Sequence, residues 1–354
     1  MNTLQERSLT VSQQIAQSEP ASSRAARPVS VAVVIPCYRV RHKIVGVVES
    51  LLDKVDAIFV VDDRCPEESG RFLQENISHP KLTVLFHEVN QGVGGAMVTG
   101  FEAALEARME IIVKMDGDGQ MDARYLRRLI TPICRGQADF TKGNRFYDLT
   151  ALQRMPPVRR FGNFGLTFLT KAASGFWHVS DPTNGYVAVH SAALRLLNLH
   201  RLDRRYFFEI SFLVQLNIAG ATAVDVPIPA IYEDETSSLN PWRILWSFPV
   251  KLLKGLCLRI WWRYFIYNIN IVTVFLITGS LLFFGGGLFG LIRWSHNWSG
   301  GPEQSAGTVA LAMLPMILGF QMLLQAIVLD MRERPEMPIS TMFDDNDELE
   351  GEGA

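Results

Sequence analysis

Two long stretches without a charged side chain constrain this chain more than any other feature. Residues 269–292 and 307–329 run for 24 and 23 positions with no Asp, Glu, Lys or Arg. At ~1.5 Å per residue a helix of either length covers about 35 Å, enough to cross a ~30 Å hydrocarbon core. Buried helices of soluble domains rarely stay uncharged for so long, so the runs predict two transmembrane helices within 268–330. Their flanks predict an orientation. Arg243, Lys251, Lys254, Arg259 and Arg263 precede the first run and Arg332 and Arg334 follow the second, whereas Arg293 is the only Lys or Arg between them. The positive-inside rule then places the connection outside and the remainder, both termini included, in the cytoplasm. Residues 241–267 interleave their cations with Trp, Leu, Ile and Phe. That pattern predicts an amphipathic helix on an anionic membrane surface, kinked at Pro249. Gly279, Ser280, Gly285, Gly286 and Gly287 permit close helix packing, and with it self-association into a homo-oligomer.

Ahead of the two runs lies a stretch with the pattern of a soluble α/β domain, 29–240. Residues 29–36, 57–61, 81–86 and 110–115 are short apolar runs ending in polar or Gly-rich residues. Segments 44–55, 95–107 and 123–134 between and after them carry helical apolar spacing. Strands buried on both faces and separated by helices predict a mostly parallel, Rossmann-like sheet. Ligands of such sheets sit beyond the carboxyl ends of the strands. Farther on come a Lys142-Gly143-Asn144-Arg145 turn, a basic and apolar segment 154–176, a helix over 206–219 and a strand over 222–228. The polar residues 1–28 lack the apolar core of a signal peptide and predict a disordered leader. Residues 331–354 predict an acidic, disordered tail. A formal net charge of −2 argues against nucleic acid as a partner. Cys37, Cys65, Cys134 and Cys257 show no metal or redox spacing and predict reduced thiols.

The sharpest chemical signal is Lys114-Met115-Asp116-Gly117-Asp118-Gly119-Gln120. An apolar strand ends there in two carboxylates one residue apart, followed by an amide, on a backbone that glycines let turn tightly. Such oxygen ligands suit Mg²⁺ or Mn²⁺, whose coordination is completed by phosphate and water. Asp62 and Asp63 close the second strand, where a carboxylate either accepts from a base N–H or caps the following loop. Asn90-Gln91-Gly92-Val93-Gly94-Gly95 has the look of a phosphate loop. It follows the third strand rather than the first, however, which does not fit a dinucleotide fingerprint.

Taken together, Val33-Val34-Ile35-Pro36-x-Tyr38, Val60-Val61-Asp62-Asp63, Asn90-x-Gly92-x-Gly94, Asp116-x-Asp118-x-Gln120, Gly143-x-Arg145 and Asp181-Pro182-Thr183-x-Gly185 resemble the family 2 glycosyltransferases. Within them the pattern is similar to the polyprenyl-phosphate glycosyltransferases of the dolichol-phosphate mannose synthase type. The resemblance implies a GT-A domain followed by an interfacial helix and two transmembrane helices. It implies transfer, with inversion, of a sugar from a UDP- or GDP-linked nucleotide sugar to undecaprenyl or dolichyl phosphate. Pro36, Tyr38, Asp62, Asp63 and Asp116 would line the nucleotide site. Asp116, Asp118 and Gln120 would hold the metal. Arg145, Arg159 and Arg160 would bind the acceptor phosphate, since guanidinium forks match phosphate oxygens. Asp118, Arg145 and Asp181 would be catalytic, with Asp181 either a base or a turn residue and Glu209 a weaker candidate.

Some positions depart from that pattern. Arg39-Val40 replaces the usual Asn-Glu after the first-strand tyrosine, and Arg64-Cys65 the usual Gly-Ser after the aspartates. Residues 232–238 carry no cation where the family often has an arginine. Two rival readings are a transferase acting on a lipid or polysaccharide hydroxyl and an inactive scaffold subunit. A processive synthase would bring a Gln-x-x-Arg-Trp segment, which this chain lacks.

Overall fold

A computed structural model describes residues 29–146, 157–182, 184–229, 241–298 and 303–342. Side chains of 157–163, 241–247 and 297–298 fall outside that description. So do the expected leader 1–28, the cation-free stretch 232–238, Thr183 and the tail beyond 342.

Seven strands form one sheet in the order β3-β2-β1-β4-β6-β5-β7. The strands are β1 (Val31–Cys37), β2 (Ala57–Asp62), β3 (Leu82–Phe86), β4 (Ile111–Lys114), β5 (Phe140–Asn144), β6 (Val187–His190) and β7 (Ala223–Pro227). All neighbours are parallel except β6, which runs antiparallel to both β4 and β5. The mostly parallel α/β sheet expected from the apolar runs is thus present. Helices α1 (Ile44–Glu49), α2 (Ser69–Asn76), α3 (Val93–Glu106) and α4 (Leu126–Cys134) connect the first five strands. After β5 come α5 (Pro157–Ser174), then β6, α6 (Ser191–Arg195), α7 (Phe208–Ile218) and β7. The main core lies where α3 and α7 cover the sheet, with Phe101, Phe140, Phe208 and Phe212 at its centre.

Residues 140–144 are a strand rather than only a turn. Their polar groups survive burial because each is bonded: Thr141 Oγ1 donates to the Leu129 carbonyl (2.8 Å), and the Gly143 N–H to the Tyr186 carbonyl (2.9 Å). The lone antiparallel strand has a structural consequence for the site. Lys114 on β4 and Lys142 on β5 both register with Val187, the first residue of β6. The loop entering β6 therefore arrives at the edge where β4 and β5 leave.

Beyond the sheet are α8 (Pro241–Ile260), a π-helical turn (Trp261–Tyr267), and two long apolar helices, α9 (Ile271–Trp298) and α10 (Ala306–Arg332). Both long helices have the length and composition to cross a membrane. They pack on each other through glycines. A Cβ at Gly279 would lie 3.1 Å from the Gly319 carbonyl oxygen, and one at Gly286 would lie 2.8 Å from that of Ala312. The close-packing capacity of these two residues thus serves contact within the chain.

Two expectations for the flanks change. Among the described side chains of 241–267, three of the four cations are engaged by the protein, and Lys254 is exposed. Lys251 pairs with Asp203 (2.6 Å), Arg259 is buried against Asp330, and Arg263 donates to the Asn217 carbonyl (2.8 Å). One face of α8 carries Phe248, Leu252 and Leu256 onto Ala173, Phe207 and Ile210. The segment is therefore a packed element of the protein, with Val250, Leu253 and Trp261 exposed. Residues 338–341, assigned to the disordered tail, are also ordered. Ile339 joins the main core, and the buried Asp139 carboxylate accepts from the backbone N–H groups of Ile339 and Ser340 (both 2.9 Å) as well as from Thr222.

Candidate active site

The site is built where β1, β2, β4 and β5 end. At β4, Lys114 is 1% exposed yet charged, because three oxygens face its ammonium. Its Nζ lies 2.6 Å from Asp116 Oδ1, 3.5 Å from Glu209 Oε1 on α7, and 3.4 Å from the Gly185 carbonyl. Burial alone would lower its pKa; the charges of Asp116 and Glu209 outweigh burial and hold it above the ordinary lysine value. Lys114 takes one oxygen of Asp116 and leaves the other beside Gly185. A Cβ on Gly185 would lie 2.9 Å from Asp116 Oδ2 and 2.5 Å from Lys114 Nζ, so only glycine fits there. Asp118 Oδ1 accepts from the Gln120 N–H (3.0 Å), and Gly119 takes a positive φ of 77° to close the loop.

This oxygen set fits a hard divalent cation in a particular way. Among the described residues no three His, Cys, Asp or Glu side chains gather into a closed cage. Asp116 and Asp118 are instead half-buried on a loop at the sheet edge. Two carboxylates and an amide suit Mg²⁺ or Mn²⁺ that keeps water and substrate phosphate in its remaining positions. Asp118 and Gly119 also line a cleft of about 590 Å³ whose walls include His42, Lys43, Lys54 and Arg124. Nothing in the local sequence around His42, Lys43 and Lys54 singled them out, because they come together only when α1 packs beside the loop.

On the β5 side, the Lys142-to-Arg145 segment and the loop entering β6 are tied together. Asp181 is fully buried and fork-paired with Arg145, at 2.7 Å to Nε and 3.2 Å to Nη2. Asn184 Nδ2 donates to the Gly143 carbonyl (2.7 Å), and Lys142 Nζ donates to the Asn184 carbonyl. Asp225 on β7 accepts from Asn144 Nδ2 (3.2 Å) and from the Ser180 N–H (2.7 Å); burial pushes its carboxyl pKa up. The Asp181 carboxylate thus fixes the position of the Arg145 side chain. Arg159 and Arg160 stand in the first turn of α5, with side chains outside the described residues.

Pro36 lies near the end of β1, paired with Val61, and Tyr38 just beyond it is 43% exposed. Asp62 and Asp63 are both nearly inaccessible. Asp62 receives the N–H groups of Cys65 and Gly70 (both 2.7 Å). Asp63 receives those of Gln91 (2.8 Å) and Gly92 (2.7 Å) and faces His87 Nδ1 at 2.8 Å. A base reaching this corner would meet carboxylates that already organise two loops. The Gly-rich stretch 90–95 is no phosphate cradle either. Its Gly94 and Gly95 N–H groups go to the Arg204 carbonyl, and Gly94 lets the backbone of Asp203 and Arg204 approach. All four cysteines are free thiols.

Residues 32–197 match the family model described as Glycosyl transferase family 2. An uncharacterised protein of Methanocaldococcus jannaschii is 31% identical over 209 residues, covering 58% of this chain and 83% of that one. The UDP-N-acetylglucosamine–dolichyl-phosphate N-acetylglucosaminyltransferase of Methanococcus voltae is 28% identical, with 57% of this chain and 86% of that one aligned. An undecaprenyl-phosphate mannosyltransferase of Micrococcus luteus is 27% identical, with coverages of 56% and 82%. Among solved structures, the M. tuberculosis glucosyl-3-phosphoglycerate synthase aligns over 66% of this chain and 81% of its own, at a TM-score of 0.46 and 18% identity.

Proposed function

This chain belongs to glycosyl transferase family 2, and we propose that it moves a sugar from a nucleotide diphosphate donor, UDP- or GDP-linked, to a polyprenyl phosphate at the cytoplasmic face of a membrane. One observation supports the reading most. The antiparallel β6 brings the Asp116-to-Gln120 loop and the Arg145–Asp181 fork to one sheet edge, an arrangement that suits a donor diphosphate beside an acceptor phosphate. The named relatives that act on dolichyl and undecaprenyl phosphate support the acceptor class, and the apolar hairpin supports a membrane setting.

The reaction is a single in-line displacement. An acceptor phosphate oxygen attacks the anomeric carbon, the bond to the donor diphosphate breaks, and the configuration inverts. Asp116, Asp118 and Gln120 would hold Mg²⁺ or Mn²⁺, which would supply positive charge to offset that on the departing diphosphate. Lys114 holds Asp116 in place from below. Pro36 and Tyr38 line the nucleoside side, with Asp62 and Asp63 shaping the loops around it. Arg145, aimed by Asp181, binds the acceptor phosphate together with Arg159 and Arg160. A phosphate monoester with a second pKa near ~6 is largely ionised at neutral pH, so no strong general base is required. That agrees with a fully buried Asp181 whose oxygens are engaged by Arg145.

The test is transfer of radiolabelled sugar from a panel of UDP- and GDP-sugars to undecaprenyl and dolichyl phosphate with Mg²⁺ or Mn²⁺, beside Asp118→Ala. A lipid-phosphate sugar that disappears in Asp118→Ala is the expected result. A folded, membrane-inserted chain that gives no product with any donor would defeat the reading.

A further inference from the structure

Among the described residues Arg259 is the largest of the fully buried side chains, and it sits at the base of the apolar hairpin. Its guanidinium forks Asp330, the third-last residue of α10, with Nη1–Oδ1 at 2.6 Å and Nη2–Oδ2 at 2.9 Å. The same group donates from Nη2 to the Ala172 carbonyl (3.1 Å) and from Nε to the Ala173 carbonyl (3.2 Å), closing the last turn of α5. Asp330 takes two more donors, the Tyr264 hydroxyl (2.6 Å) and Trp177 Nε1 (3.4 Å). Gly175 sits against the pair at a φ of +76°, and a Cβ there would lie 2.7 Å from Arg259 Nη1.

Such a pair is a poor choice for stability alone, since removing two charges from water costs about what their attraction returns. What a planar fork supplies is geometry, because a bidentate pair is satisfied in one arrangement. Here that arrangement joins α8, the π-helical turn, α10 and the 172–177 segment at one point. The chain from that point runs only four residues, from Trp177 to Asp181, before it grips Arg145. At its other end, α5 begins with the turn that carries Arg159 and Arg160.

We propose that the Arg259–Asp330 joint positions the acceptor clamp relative to the membrane hairpin, so that Arg145 meets a phosphate whose depth is set by a bilayer-embedded chain. Arg259 and Asp330 are positioning residues, remote from the reacting atoms. The proposal rests on the polyprenyl-phosphate reading. It separates two kinds of acceptor: a long-chain phosphate is held at the bilayer surface and depends on the joint, whereas a short, water-soluble prenyl phosphate diffuses to the clamp wherever it stands.

The experiment uses the full chain in lipid nanodiscs containing undecaprenyl phosphate, and in parallel with a short soluble prenyl phosphate. Two variants are compared with wild type: Asp330→Asn, and the paired Arg259→Met/Asp330→Leu, which leaves no unpartnered charge. Misplacement of about 1 Å costs up to ~100-fold in a transfer step. Both variants are therefore expected to lose about tenfold or more with the embedded acceptor and to stay within about twofold with the soluble one. Hydrogen exchange over 172–181 is expected to quicken in both. Equal loss with the two acceptors, no loss with either, or unchanged exchange would overturn the proposal. Wild type inactive on both acceptors would instead overturn the polyprenyl-phosphate reading, and the exchange comparison would then decide the joint by itself.

Discussion

Replacing Lys142 by methionine should change how stability depends on pH. Lys142 is 1% exposed and, among the described residues, has no carboxylate within ion-pair distance; its ammonium is held by the Asn184 carbonyl. Burial, aided by the charges of Lys114 and Arg145, outweighs the attraction of Asp181 and Glu209, so its pKa falls from 10.5 to about 8. Below pH 8 the lysine is protonated in both folded and unfolded chains. Between pH 8 and 10.5 the folded chain has released the proton and the unfolded chain still binds it, so stability rises with pH across that window. At ~1.4 kcal/mol per pH unit the rise amounts to about 3 kcal/mol. Lys142→Met removes it. The variant should match or exceed wild type in stability at pH 7.5, because it buries no charge, and lose that advantage by pH 10.5. At ~2–4 °C per kcal/mol, the difference in melting temperature should change by about 6–12 °C. Melting curves of both proteins in one detergent, recorded every half pH unit, measure it, and taking the difference cancels other groups such as Tyr186. Parallel curves for the two proteins would refute the reasoning.

Three further outcomes follow from the same geometry. Gly185→Ala should weaken or abolish metal-dependent transfer, because its methyl would drive into Lys114 Nζ and Asp116 Oδ2; a raised metal requirement at retained fold would show it. Arg145→Lys keeps the charge but loses the fork on Asp181, so the KM for the acceptor phosphate should rise about tenfold while the donor KM stays put. Asp139→Ala would leave the buried N–H groups of Ile339 and Ser340 without partners, at about 1–3 kcal/mol each. Limited trypsin cleavage after Arg332 should then become faster, and unchanged cleavage would count against the role given to Asp139.

Strands β1, β2 and β4 were legible as apolar runs because parallel strands buried on both faces leave no room for alternation. The two apolar helices were legible for a similar reason. Strand β5 was not, since Thr141, Lys142, Gly143 and Asn144 read as a turn until tertiary partners are known for each polar group. The Asp116-to-Gln120 loop was legible because its paired carboxylates close an apolar run that reads as a strand. The pairing of Asp181 with Arg145 did not, because nothing local links residues 36 positions apart. Arg259 misled for a physical reason. A cation beside tryptophans in front of an apolar run suits a lipid surface, and its true partner is an aspartate 71 residues later, just past the second uncharged run. Asp62 and Asp63 were visible as candidates, but a one-dimensional reading could not tell that loop N–H groups already occupy both carboxylates.

The contact of Ile339 and Ser340 with Asp139 also carries a rule of parity. A chain that leaves the sheet, runs through α9 and α10, and then buries an isoleucine in the same core has to come back to the side it left. For a hairpin set in a bilayer, this makes the number of crossings between residues 260 and 338 even, whatever the charges on its flanks. Orientation can be inverted as a whole, but a single span cannot be added or deleted without tearing the last buried residues from the domain. The domain itself thus checks the count: a miscounted insertion would appear as a folding defect far from any lipid.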